Sequence, residues 1–145
     1  FVPFTPWTTL EGYVDLLDVI ETLDLVEHVA PVQLAIRLLV TSNSALLDLP
    51  DIRDAVGPFD AASLIFPWRH RDSGVDALQA RVMALVGSLM TTARSETFGA
   101  IAAMARAQAG LPSRTHPPRR TSAVPTLTEP WYCCAEPTPQ QLGAI

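Results

Sequence analysis

Lysine is absent from the chain: all ten basic residues are arginines, and fifteen acids leave a net charge of −5. With a pI near 5.0, broad binding to a phosphate backbone is excluded, although a local basic patch can survive inside an acidic average. Nucleic acid is not an expected partner, and an arginine-only set of bases speaks of a GC-rich genome more than of function. Cysteine is nearly absent too. Cys133 and Cys134 are neighbours, so they cannot staple distant parts of a fold as a secreted disulfide framework does, and a reducing cytoplasm is the expected location. No run of 18 apolar residues and no basic start ahead of an apolar segment occur, so no spanning helix or signal peptide is read here and no membrane partner is expected. Nucleophile elbow, phosphate-binding glycine loop and paired-histidine metal helix are all missing, which leaves no complete catalytic constellation. The first residue, Phe1, is not an initiator methionine, and a piece of a longer polypeptide is expected.

What is present is enough for one domain with a real core: 145 residues, 48% hydrophobic and 17% charged. The run Pro-Val-Gln-Leu-Ala-Ile-Arg-Leu-Leu-Val at 31–40, left through Thr41, Ser42, Asn43 and Ser44, has the length and β-branched content of a strand buried on both faces. Its one charge, Arg37, must meet a carboxylate or a polar cavity, because hydrocarbon does not accept it unpaired. Residues 1–6 and 63–66 read as further strands. Thr8 with Glu11, and Ser73 with Asp76, have the spacing of capping boxes. The stripes Leu10, Tyr13, Val14, Leu17, Ile20 and Val75, Leu78, Val82, Leu85, Val86, Leu89 then predict helices over 10–23 and 76–89. Ser95 is the expected cap of another helix, with Phe98, Ile101, Ala102 and Ala105 on one face. Short helices are expected after Ser44 and at Pro50, ended by Gly57-Pro58. Seven of the 13 prolines lie beyond Leu111, so 111–145 reads as an extended proline-rich tail.

The order strand, capped helix, strand, crossover, strand, loop, helix predicts an α/β fold with a parallel sheet. Its strand-to-helix loops would share one edge, bringing Thr8, Ser42, Arg69 and His70 together with Arg37 on the strand below. Trp7 and Trp68 fit there as packing anchors. Arg69, His70 and Asp72 have the chemistry of an acid-base or substrate-anion site, and equally that of a solvated loop. In the tail, Cys133 and Cys134 are either candidate reactive thiols, metal ligands or a vicinal disulfide, or simply two small buried hydrophobes. His28, His70, His116 and Glu136 have no zinc-finger spacing.

The stretch Phe1-Val-Pro-Phe-Thr-Pro-Trp-Thr-Thr-Leu-Glu-Gly-Tyr, the run from Pro31 to Val40 with Ser44-Ala-Leu-Leu after it, and above all Cys133-Cys134-Ala135-Glu136-Pro137 resemble the C-terminal part of the radical S-adenosylmethionine (SAM) proteins named for a CUAEP or CCAEP tail. In some members selenocysteine stands where Cys134 does. The resemblance implies the C-terminal portion of a partial TIM-like barrel, with strands and helix in 1–72, closing helices in 73–110 and the tail in 111–145. It also implies an enzyme that cleaves SAM reductively at a [4Fe-4S] cluster to start radical chemistry on an unknown small-molecule or peptide substrate. The C-x-x-x-C-x-x-C cluster loop does not occur here, so no metal site is expected within this chain. Cluster and SAM would belong to the full-length parent, with the missing N-terminal half as partner. A non-enzymatic thiol, metal-binding or interaction module is the alternative.

Overall fold

The computed structural model describes residues 1–89 and 92–114. Among these are four α-helices: α1 (Leu10–Thr22), α2 (Pro50–Ala55), α3 (Ser73–Ser88) and α4 (Arg94–Gln108), with tighter 3-10 turns at Val26–His28, Pro31–Leu34 and Ala45–Asp48. The periodicity located the helices well and their caps less well. Thr9, not Thr8, caps α1 by accepting the Gly12 amide at 2.9 Å. Thr8 instead donates to the Pro3 carbonyl at 2.8 Å and accepts the Thr5 amide at 3.0 Å. Asp72, one residue before Ser73, caps α3 through the Gly74 amide at 2.7 Å. Ser95 lies inside α4, which starts without a side-chain cap.

Helix α4 packs against both α1 and α3. Their apolar stripes meet in a core that includes Tyr13, Leu17, Leu34, Leu78, Val82 and Ile101, with Phe4 against the Tyr13 ring at 4.6 Å between centroids. Each such side chain contributes on the order of 1.5–3 kcal/mol by leaving water. The Tyr13 hydroxyl donates to the Leu34 carbonyl at 2.8 Å, and burial pushes its pKa up. A smaller cluster of Val40, Ile52 and Trp68 lies under α2.

The expected parallel sheet, and with it the partial barrel, is overturned: no β-strand is present among the described residues, only isolated bridges. Pro3 and Pro6 remove donors on both sides of Phe4, leaving that residue alone to bond Ile36 and Leu38 in a one-residue parallel bridge to Arg37. Pro31 suits the first position of a helical turn, and the start of the apolar run rolls into the 3-10 turn, where the Gln33 side chain accepts the Ala30 amide at 3.2 Å. Around 63–66, the Asp60 carboxylate accepts the Ala62 amide and the Ser63 hydroxyl. Leu64 takes a φ of 60°, and the Asp60 amide bonds the Ile65 carbonyl. That tight turn cannot lie flat as a strand, and the contact of Ile65 with Thr41 is antiparallel, opposite to the direction a crossover requires. Among the described residues, no helix is long and apolar enough to cross a membrane.

Candidate functional site

Two loops face each other across a cleft of about 260 Å³. One wall is the turn Pro6-Trp7-Thr8-Thr9 entering α1; the other is Arg69-His70-Arg71, with Asp51 and Ala55 of α2 between them. The first turn is stiff because Thr5 and Thr8 bond each other's hydroxyls at 3.0 Å and Thr8 holds Pro3. The second loop is held along its backbone: the Gly57 amide donates to the Pro67 carbonyl at 2.6 Å and the Arg69 amide to that of Ala55 at 3.1 Å.

Beneath the second loop lies Arg37, the charge that the apolar run could not accommodate alone. Its guanidinium sits 3.5 Å from the Trp68 ring centroid, donates to Asp76 Oδ1 at 2.7 Å and to the Trp68 carbonyl at 2.6 Å. Asp76 Oδ2 in turn accepts the His70 amide at 3.0 Å, and the Trp68 indole donates to the Leu38 carbonyl at 2.7 Å. Each buried polar atom in this network has a partner, which removes the desolvation cost that an orphaned group would carry. Arg37 therefore finds the expected carboxylate, in a supporting position outside the lining of the cleft.

The side chains lining the cleft carry a net positive charge, two arginines against one aspartate. Asp51 accepts Arg71 Nη2 and the Trp7 indole Nε1, each at 3.3 Å. Both bonds are long and exposed, and a pair of this kind is worth at most about 1 kcal/mol. Arg69 is exposed, and among the described residues it has no carboxylate partner. His70 Nδ1 faces the Asp72 backbone, 2.9 Å from its amide nitrogen and 3.1 Å from its carbonyl oxygen. The arrangement can grip an anion and offer a donor; it contains no nucleophile paired with a base.

Thr8, Arg69 and His70 are thus brought together as the sequence suggested, although by helices and turns and not by a sheet edge. Ser42 is exposed in the turn after Val40 and does not line the cleft. Cys133, Cys134 and Glu136 lie outside the described residues. Asp51 escaped sequence reasoning: as an acid in the first turn of a short helix it looks like dipole compensation, and nothing in its spacing ties it to a tryptophan 44 positions away.

A [4Fe-4S] cluster requires thiolate ligands, and residues 1–114 contain no cysteine. The described residues therefore do not fit that group, nor is any cluster of three or more His, Cys, Asp or Glu among them arranged to hold a metal ion. Compared with protein-family models, with curated proteins and with solved structures, the chain matches none.

Proposed function

We propose that the chain is the substrate-side portion of a radical SAM enzyme, contributing helices and a cleft edged by charged groups, while cluster and SAM are carried by another portion of the same cytoplasmic polypeptide. The observation that carries this reading is the motif Cys133-Cys134-Ala135-Glu136-Pro137 following the Pro31-Val-Gln and Arg37-Leu-Leu stretches. What supports a substrate-side role is the convergence of Thr8, Arg69 and His70 on one cleft. In this reading the tail thiols Cys133 and Cys134 are the reactive groups, with Cys134 the more important because its place accepts selenium in the family it resembles. The reading frame upstream of Phe1 tests it. A C-x-x-x-C-x-x-C loop there, with SAM-dependent release of 5′-deoxyadenosine by the reconstituted full-length protein, is the expected result; a frame without such a loop overturns it.

A non-enzymatic binding module is the second reading. It is favoured by one specific observation: among the described residues, the cleft brings two arginines and a tryptophan together without a nucleophile paired to a base.

A further inference from the structure

We propose that the cleft between Trp7 and the Arg69-His70-Arg71 loop binds a small planar organic carboxylate, gripped by Arg69 and Arg71 with its ring against the Trp7 indole. This deepens the substrate-side reading by naming the chemical class that the site takes. Four observations carry it. The cleft holds two guanidinium groups against the single carboxylate of Asp51, a net positive site in a chain of net charge −5. Arg69 has no carboxylate partner among the described residues. Arg71 is bound to Asp51 by a single 3.3 Å contact with its side chain 77% exposed, so a ligand can recruit it at little cost. Trp7, 48% exposed, turns a large flat apolar surface to water while its Nε1 donates to Asp51 at 3.3 Å, an aromatic platform with one polar edge.

Size and charge narrow the class. About 260 Å³ is below the roughly 300–1,000 Å³ of pockets that hold drug-sized ligands, so a single ring with one substituent fits better than a nucleotide. The arginine fork matches a carboxylate with two parallel hydrogen bonds. One net positive charge is balanced by a monoanion, whereas a phosphate monoester leaves a second negative charge unmatched. The loop backbone behind this grip is set in advance, because Asp76 holds the His70 amide and is itself held by Arg37; what binding must still order is the two exposed arginine side chains.

The test is titration of the ¹⁵N-labelled 145-residue chain with benzoate, followed through the Trp7 indole resonance, which a Trp7→Phe spectrum assigns. Benzoate is expected to shift that resonance saturably, neutral benzamide of the same shape to bind at least tenfold more weakly, and phenyl phosphate to bind no tighter than benzoate. Arg69→Gln should weaken benzoate at least tenfold, and Arg81→Gln, at an exposed arginine bonded to Gln108, should leave it unchanged. Equal binding of benzamide, absence of a saturable Trp7 shift, or an unaffected Arg69→Gln variant overturns the proposal, and tighter phenyl phosphate overturns the carboxylate assignment. The benzamide comparison uses the unmodified chain, so it decides even where a variant misfolds. None of these measurements needs cluster or SAM, so failure here leaves the radical reading standing, and an upstream frame without the cluster loop leaves this result intact.

Discussion

A single buried charge does more than any other residue to position the cleft. Arg37 links Asp76, the Trp68 carbonyl and the Trp68 ring, and the loop that follows Trp68 carries Arg69 and His70. Arg37→Met keeps most of the aliphatic stem and removes these contacts. Because the surviving Asp76 side chain is 31% exposed and can be rehydrated, the cost should be about 2 kcal/mol, the range for hydrogen bonds to a charged group. Urea unfolding measures it, and the His70 amide, with its acceptor released, should exchange faster in the variant. That Arg37 needs a partner is legible in the sequence, since a guanidinium inside an apolar run has few options. That the partner is Asp76, 39 positions on, is not, because its spacing from Ser73 gave it a complete local explanation as a cap. Tyr13 supplies a pH test. Its pKa is raised by burial, so the folded state holds the proton more tightly than the unfolded chain. The stability from that linkage is full below the ordinary tyrosine value of 10.0 and is lost as pH rises beyond it. Tyr13→Phe should cost about 1 kcal/mol at neutral pH by leaving the Leu34 carbonyl without its donor, and should flatten the alkaline loss seen in unfolding midpoints above pH 10.

At the scale of elements, α1 and α4 are joined by an ion pair as well as by their apolar stripes. Arg106 Nη2 binds both carboxylate oxygens of Asp18, at 2.6 Å from Oδ2, and Arg114 adds a second contact at 3.3 Å. The two partners are unequally buried, 8% exposed for the arginine and 31% for the aspartate, so the two deletions should differ. Asp18→Ala leaves a buried guanidinium uncompensated and should cost about 3 kcal/mol. Arg106→Met leaves a carboxylate that water and Arg114 can still serve, and should cost clearly less; comparing their urea midpoints decides the order. The helices themselves were legible because residues such as Tyr13, Leu17, Val82 and Ile101 repeat at helical spacing and each found the core that its stripe implied. The strands were not. Apolar, β-branched runs of four to ten residues carry no period that separates a strand from a buried turn, and here local chemistry prevailed: prolines around Phe4, the Pro31 turn with Gln33, and the Asp60 carboxylate folding 60–65 back on itself.

For the molecule as a whole, the grouping of polar residues was more legible than the fold. Thr8, Arg69 and His70 were grouped on the argument that loops following strands share a sheet edge. They do converge, but through α1, α2 and the bridge of Val56 to Trp68. The grouping survived its premise because polar residues just outside apolar segments gather at a rim whichever elements the segments form. Ser42 fell away: it is exposed in the turn ahead of Ala45–Asp48 and does not line the cleft. The central claim is that a helical unit, without a parallel sheet, brings Trp7 and the Arg69-His70-Arg71 loop together. It is tested most directly by a NOESY spectrum of the isotopically labelled chain. The account predicts cross-peaks joining the Trp7 indole to the side chains of Asp51 and Arg71, with helical amide-to-amide connectivities through the Pro31–Leu34 turn. Cross-strand connectivities pairing 34–40 with 63–66 in parallel register, with none from Trp7 to Asp51 or Arg71, would contradict it.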